Sequence, residues 1–278
     1  MKTLRIYGDS FAAREDVGRP PLASGWGVML GNLLGLPVKN KAISGSSTEY
    51  AIKLFVDDVE NNIIDDNDII IFLPSSTGRL YFTYQLTEAP ETASLYLHVP
   101  QHYVPQEWYW KNKDHIEWWM VNHNRRMQEI THESYIQLLK NFAVSNPSCT
   151  VIVLPTFPGK YKKNIFDNIT STNFLRANIF LMNINQSEVG IKHEENFDYK
   201  WWTEFTKIDP RSNHLTIPNL TILANLLVES IQNSSIDNIT YDKFKTNVIE
   251  KITSKEQYLK YVANGLIPNR YDILNNLK

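Results

Sequence analysis

Cysteine is nearly absent from the sequence: Cys149 is the one cysteine among 278 residues. A single thiol excludes a disulfide within the chain, and it also excludes a metal centre built on several cysteines. We interpret Cys149 as a buried structural thiol at the start of a core strand, because an apolar run follows it directly.

Long hydrophobic runs are missing as well. No stretch approaches the roughly 18 consecutive apolar residues that a membrane-spanning helix needs, and the N-terminal residues lack the apolar core of a signal peptide. We expect a cytoplasmic protein, or a virion component assembled in a cytoplasm, with no signal peptide and no membrane partner.

Charge of one sign is not in excess. The 28 Lys and Arg residues nearly balance 30 Asp and Glu residues, which leaves a formal net charge of −2 at pH 7. Because the sequence contains no block of basic residues, nucleic acid is not expected as a partner. The hydrophobic fraction of 42% is ordinary for a globular protein.

Short apolar runs bounded by turn residues predict buried parallel strands. They cover residues 4–8, 68–74, 150–155 and, more weakly, 37–43. Amphipathic patterns predict helices at residues 25–34, 48–63, 115–145 and 218–232. This alternation of strands and helices is typical of an open α/β sheet.

Two segments do not follow this alternation. Residues 79–114 are rich in aromatic residues and show little periodicity, so we predict an inserted cap or rim. Residues 234–278 are polar, with short helical patterns at 241–252 and 255–263. We divide the chain into a domain of residues 1–233 that carries the insertion and a C-terminal helical appendage, which is available for assembly into an oligomer.

The sequence YGDSFA directly follows the first predicted strand and places Ser10 at the carboxyl end of that strand. Open α/β sheets bind ligands at this edge, and backbone N–H groups near a helix start stabilise an oxyanion there. Ser10 is therefore a candidate nucleophile, provided that a base lies within hydrogen-bond reach. The alternative is a turn in which Asp9 or Ser10 only caps the following helix.

Seven histidines are candidates for that base. We favour His214, because it lies in an irregular polar stretch directly before the 218–232 helix, where a loop can return to the same sheet edge. His123 and His132 lie within the long helical pattern, and His98 and His102 lie in the insertion. We interpret these four as surface or rim residues.

Taken together, these blocks resemble the SGNH, or GDSL-like, hydrolase superfamily. The resemblance covers residues 2–232 in short blocks: GDS after the first strand, an isolated glycine, Gly45, after the second, and a histidine close to the C-terminal helix. It implies a three-layer α/β/α fold with a flavodoxin-like parallel sheet, and ester hydrolysis through an acyl-enzyme without a metal or cofactor. Ser10 matches the family nucleophile and His214 the base, while the backbone N–H groups of Ser10 and Gly45 match the oxyanion hole.

Two positions depart from the family pattern. The family has Asn after the third strand, whereas this chain has LPSSTGR there, so Thr77, or alternatively Ser75 or Ser76, would supply a hydroxyl donor to the oxyanion. The family also has Asp three residues before the histidine, where this chain has Arg. Asp209 would orient the base instead, or the site works as a Ser–His dyad with a backbone carbonyl as the orienting group.

The aromatic insertion suggests a substrate class. Aromatic rings stack on the apolar faces of sugars, so we expect a carbohydrate O-acyl esterase, acting on acetyl groups, whose substrate-binding residues are Asp9, Arg79, Tyr81 and Trp108. Acyl chains and partner subunits also use aromatic residues. A lipase or thioesterase therefore stays open, as does a non-catalytic glycan-binding or virion structural protein on the same scaffold.

Overall fold

The computed structural model of the protein describes residues 1–12, 25–43, 46–76, 79–85, 90–96, 125–157, 171–189, 215–249 and 255–267; at 79–85, 90–96, 125–128, 255 and 258 the description covers the backbone. Five strands in this part of the chain form one parallel sheet in the order β2-β1-β3-β6-β7. Their bounds are β1 (Leu4–Tyr7), β2 (Val38–Asn40), β3 (Ile69–Phe72), β6 (Thr150–Val153) and β7 (Phe174–Arg176). The predicted α/β fold with a parallel sheet is confirmed.

Helices cover both faces of this sheet. The helices of the described residues are α1 (Trp26–Leu34), α2 (Thr48–Glu60), α3 (Arg125–Ser145), α4 (Leu181–Glu188), α5 (Ile217–Asn233) and α6 (Lys255–Ala263), of which α6 packs in a separate apolar cluster away from the sheet. Local sequence explains several of their ends. Ser47 caps α2 by accepting a hydrogen bond from the Tyr50 N–H, Gly35 ends α1 in the left-handed region, and Pro218 lies in the first turn of α5.

The sheet separates two apolar clusters, because successive residues of a strand point to opposite faces. On one face Ile71 packs with Trp26 of α1 and Leu223 of α5. On the other face Phe72 packs with Phe55 of α2 and with residues of α3. Each of these side chains is almost fully buried, and burial of one such side chain contributes about 1.5–3 kcal/mol. The result is a three-layer α/β/α arrangement.

The predicted insertion contains regular structure that its composition did not indicate. Residues of β4 (Arg79–Gln85) and β5 (Pro90–Tyr96) pair as an antiparallel two-stranded sheet, in which Arg79 lies opposite Tyr96. The chain therefore leaves the main sheet after β3 as a hairpin. Residues 97–124, which include the rest of the insertion, lie outside the described residues.

The C-terminal segment differs from its prediction in one helix. The pattern at 255–263 is confirmed as α6, but the predicted helix at 241–252 is wrong: a 3₁₀ turn covers Tyr241–Lys243, and residues 244–249 are not helical. Phe244 packs into the same apolar cluster as α1 and α5, and the irregular backbone that follows is held by hydrogen bonds to α4 and α5. The boundary at residue 233 stays a prediction.

Within the part of the chain that the structure describes, no helix combines the length and the hydropathy needed to cross a membrane.

Candidate active site

The carboxyl ends of β1, β3 and β6 meet at one edge of the sheet. The chain passes from β1 to β2 on one side and then to β3 on the other side, so the strand order reverses between β1 and β3. Ligands of doubly wound sheets bind at this point of reversal. Ser10, Ser75 and Thr156 follow these three strands and place hydroxyl groups along this edge.

The turn that carries Ser10 is fixed by Asp9. The Asp9 carboxylate accepts a hydrogen bond from the Phe11 N–H at 3.1 Å and lies 3.2 Å from the Thr156 hydroxyl oxygen, and the Asp9 carbonyl accepts a hydrogen bond from the Ala12 N–H at 3.0 Å. Ser10 therefore occupies the first central position of a hydrogen-bonded turn. The exposed fraction of Asp9 is 0%, and its role in binding substrate stays a prediction.

Gly8 allows β1 to end in this way. Its φ of +152° is rare for a residue with a side chain, and an added Cβ would lie 2.6 Å from the Leu73 Cβ and 2.9 Å from the Leu73 carbonyl oxygen. The glycine of the GDS motif is thus required both by its backbone conformation and by the close approach of β3.

The Gly8 carbonyl also connects β1 to the chain that follows β2. It accepts hydrogen bonds from the Ile43 N–H at 3.1 Å and from the Ser46 hydroxyl at 2.8 Å. The Ile43 carbonyl in turn accepts one from the Ser46 N–H at 3.1 Å. Ile43 and Ser46, which flank residues 44–45, therefore lie beside the turn that carries Ser10.

The end of β3 is held by two further hydroxyls. Thr48, at the start of α2, accepts a hydrogen bond from the Ser75 N–H at 2.9 Å, and the Thr156 hydroxyl donates to the Pro74 carbonyl at 2.7 Å. The Ser75 hydroxyl is buried and has no hydrogen-bond partner among the atoms the structure describes. Ser75 was an alternative to Thr77 as an oxyanion donor, and that assignment stays a prediction.

The side chains of several predicted site residues lie outside the described part of the structure. Gly45, Thr77, Trp108, Asp209 and His214 lie outside the described residues. For Arg79 and Tyr81 the structure describes the backbone, which forms part of β4.

His132 does not lie at the surface, so that interpretation was wrong. Its exposed fraction is 2%, because it shares the buried side of α3 with Ile136 and Leu139. Burial lowers the pKa of His132 to about 4, which keeps the imidazole neutral at pH 7. Its Nδ1 atom has no hydrogen-bond partner within the described ranges.

Sequence reasoning did not find the residues that hold the site together. Each of these residues bonds to backbone that is distant from it in sequence. Ser46 bonds to Gly8, Thr48 to Ser75 and Thr156 to Pro74. The available signal was weak: each is a hydroxyl residue at or just before the start of a helix, or just after a strand. Metal ligands were not predicted, and within the described ranges no group of three His, Cys, Asp or Glu side chains is arranged to hold an ion.

Comparison with known proteins identifies no family. No family model matches the chain, and no curated protein matches it. One similar solved structure is LAE5, described as an alpha/beta hydrolase enzyme from the metagenome of Lake Arreo, Spain, with 16% identity and a TM-score of 0.30 over 56% of this chain and 61% of that one. Another is the acetyl xylan esterase Est2A from the rumen bacterium Butyrivibrio proteoclasticus, with 13% identity and a TM-score of 0.33 over 63% of this chain and 55% of that one. The match thus spans less than two thirds of either structure, and likenesses this distant carry no conclusion about activity.

Proposed function

We propose that the protein is a serine ester hydrolase of the SGNH type that acts through an acyl-enzyme. The observation that carries the proposal is the double hydrogen bond to the Gly8 carbonyl from Ile43 and Ser46. It draws the two ends of the segment that contains Gly45 against the turn that contains Ser10. An oxyanion hole built from the N–H groups of Ser10 and Gly45 needs this juxtaposition.

The proposed reaction begins at the Ser10 hydroxyl. Its oxygen attacks the ester carbonyl while His214 takes the hydroxyl proton, and His214 then returns that proton to the leaving alkoxide. The N–H groups of Ser10 and Gly45 stabilise the oxyanion of each tetrahedral intermediate, with Thr77 as a third donor. Water activated by His214 then releases the acid and regenerates Ser10. Asp209, or a backbone carbonyl in a Ser–His dyad, orients the imidazole.

The substrate we propose is an O-acyl, and specifically O-acetyl, group on a carbohydrate. Support comes from the aromatic composition of residues 79–114, which leave the main sheet directly after β3, at the proposed site edge. A polar ester on a sugar also fits a chain whose composition predicts neither a membrane nor a nucleic-acid partner. Arg79, Tyr81 and Trp108 are the proposed contacts to the sugar.

Labelling with a fluorophosphonate tests the nucleophile without knowledge of the substrate. Intact-mass analysis should show one adduct on the wild type, no adduct on Ser10→Ala, and strongly slowed labelling of His214→Ala. Ser230→Ala is the matched control, because it removes a buried serine of α5 whose hydroxyl bonds to the Leu226 carbonyl within the same helix, and it should still be labelled at Ser10. Absence of an adduct on folded wild-type protein would overturn the proposal and favour the non-catalytic glycan-binding or virion protein.

A series of p-nitrophenyl esters then tests the substrate class. We expect the highest kcat/KM on the acetyl ester and a steep fall as the acyl chain lengthens. A maximum on long acyl chains would instead identify a lipase or thioesterase. A screen of acetylated oligosaccharides, with release of acetate as the readout, tests the carbohydrate.

A further inference from the structure

Ser75 and His132 each carry a buried polar atom that has no hydrogen-bond partner among the described residues. The atoms are the Ser75 hydroxyl oxygen and the His132 Nδ1 atom. Neither atom takes part in the proposed ester hydrolysis as a nucleophile or base. A polar atom that is buried without a partner has given up its hydrogen bonds to water, so such atoms are uncommon in folded proteins and require an explanation.

Ser75 lies beside the turn that carries Ser10. Tyr7 of β1 and Phe72 of β3 are paired in register, and Ser10 and Ser75 follow them at the same distance along the two strands. Ser75 is also fixed to the start of α2, because its N–H donates to the Thr48 hydroxyl at 2.9 Å. The Ser75 hydroxyl is therefore held between the Ser10 turn and the first residue of α2.

His132 lies at the same edge of the sheet. The Asn173 side-chain amide donates to the Ala143 carbonyl at 2.8 Å, so Ala143 of α3 is level with the residue before β7. From Ala143 back to His132 the helix rises about 16 Å, whereas β7 rises about 10 Å from Asn173 to Arg176. The ion pair of Arg176 with Glu133 at 3.3 Å agrees with this level. His132 therefore stands just beyond the carboxyl ends of the strands.

Tyr135 connects His132 to the start of α2. The centroids of the His132 and Tyr135 rings are 6.2 Å apart. Burial raises the pKa of Tyr135 to about 12, and the negative charge of Glu49 adds to this shift, so Tyr135 lies near the first turn of α2. Glu49 directly follows Thr48, the residue that binds Ser75. The two buried polar atoms thus flank the start of the same helix.

We propose that Ser75 and His132 form a polar subsite beside Ser10 that binds a hydroxyl group of a neutral carbohydrate. A hydroxyl group both donates and accepts hydrogen bonds, so it can satisfy the Ser75 hydroxyl and also Nδ1 in either tautomer of the imidazole. The imidazole is neutral at pH 7 and Glu49 is negatively charged, which disfavours a phosphate or a carboxylate as the ligand. The inference rests on the proposed function for its substrate class: the subsite holds the sugar whose ester reaches Ser10.

Binding of simple glycosides tests the subsite without catalysis. The wild type is titrated with the methyl glycosides of glucose, galactose, mannose and xylose, and NMR follows the ring signals of the histidines. We expect at least one glycoside to move the His132 signal, which is assigned by its loss in His132→Phe, in a saturable manner. No movement with any of the four at about 0.1 M would show that the two atoms hold water only and would overturn the inference.

Variants of the two residues test their contacts to the sugar. We expect Ser75→Ala and His132→Phe to raise the Kd of the glycoside by about tenfold or more, measured by calorimetry, because each change leaves a sugar hydroxyl without its partner. His132→Asn keeps a polar atom near the position of Nδ1 and should recover most of the affinity. This rescue also separates a lost contact from a disturbed fold, since both variants replace the same buried ring.

Ser230→Ala is again the matched control. It removes a buried serine whose hydroxyl bonds within α5, and it should bind the glycoside with the Kd of the wild type. Equal Kd values for Ser75→Ala, His132→Phe and Ser230→Ala would overturn the inference.

The subsite and the proposed function fail in different experiments. Glycoside binding requires no reaction at Ser10, so binding at His132 together with the absence of a fluorophosphonate adduct would support the subsite and overturn the hydrolase. An adduct on the wild type without glycoside binding would support the hydrolase and overturn the subsite.

Discussion

The hydroxyl of Ser46 donates a 2.8 Å hydrogen bond to the carbonyl oxygen of Gly8, and both residues are buried. Gly8 precedes Ser10 by two residues and Ser46 directly follows Gly45. One hydrogen bond thus joins the two chain segments from which the proposed oxyanion hole is built. The donor is a side chain, so a substitution of Ser46 alone removes this hydrogen bond.

Ser46→Ala should lower activity by more than its loss of stability explains. We expect a cost of about 1 kcal/mol in the free energy of unfolding and a fall in kcat of about tenfold or more, because the oxyanion donors lose their mutual alignment. Steady-state kinetics on p-nitrophenyl acetate and urea unfolding provide the two measurements.

Ser47→Ala is the matched control for Ser46→Ala. Ser47 is also a buried serine, but its hydroxyl caps α2, and loss of such a cap costs about 1 kcal/mol. We expect kcat to be retained in Ser47→Ala. Equal kcat values for the two variants would show that the bond to Gly8 has no role in the site.

Gly8→Ala should destabilise the fold far more than Gly35→Ala. Both glycines have positive φ, but an added Cβ at Gly35 meets nothing within 4 Å, whereas at Gly8 it would lie 2.6 Å from the Leu73 Cβ. Backbone strain alone costs about 1–2 kcal/mol, and overpacking adds about 1–3 kcal/mol. Urea unfolding of the two variants tests this, and similar losses of stability would contradict the described approach of β3 to Gly8.

Protonation of His132 should weaken the fold at acidic pH. Its pKa is about 4 in the folded protein and about 6.5 in an unfolded chain, so the unfolded state binds the proton first. Stability is therefore complete above about pH 6.5 and is lost as the pH falls towards 4, by about 3 kcal/mol in total.

His132→Phe removes this titration and retains an aromatic ring. Urea unfolding of both proteins between pH 7.5 and 4.5 should show a difference in the free energy of unfolding that changes with pH in favour of the variant, while the carboxylates affect both proteins alike. A difference that is constant over this range would show that His132 is not buried as a neutral imidazole.

Cys149 should react slowly with alkylating reagents in the folded protein. Its exposed fraction is 1%, burial raises the pKa of its thiol, and the carbonyl oxygens of Asp65 and Asp66 share the one S–H hydrogen. The thiolate is the reactive form, so iodoacetamide labelling at pH 8 should be much slower in buffer than in concentrated urea. Similar rates under the two conditions would contradict this burial.

Much of the main sheet could be predicted from the sequence, because β1, β3 and β6 are short, mostly apolar runs that are buried on both faces. The edge strand β7 and the helix α4 that follows it were harder to find. β7 has three residues, and the buried side of α4 includes Asn185 and Glu188, so no apolar periodicity indicates that helix.

The position of His132 did have a signal in the sequence. His132, Ile136, Leu139 and Ala143 recur at intervals of four, three and four residues, and all four are buried. Ile130 is 38% exposed although it is apolar. The large apolar residues alone therefore do not show which side of α3 is buried, and His132 was assigned to the exposed side.

The candidate site could also be predicted only in part. The GDS motif indicates Ser10 because it follows a recognisable strand. The contacts of Ser46, Thr48 and Thr156 were not predictable, because each depends on which strands and helices become neighbours in space. Pairing of distant segments by a single hydroxyl leaves no pattern in the local sequence.

The central place of β1 has a consequence for synthesis on the ribosome. Leu4 and Ile6 belong to an apolar cluster that also needs α5 and the later residues Ile236 and Phe244. A nascent chain can pair β1 with β3 long before these covers are made, and until then one apolar face of the sheet is open to self-association. Translation that stops between residues 176 and 217 should therefore give an insoluble product, even though every described strand of the main sheet has been made.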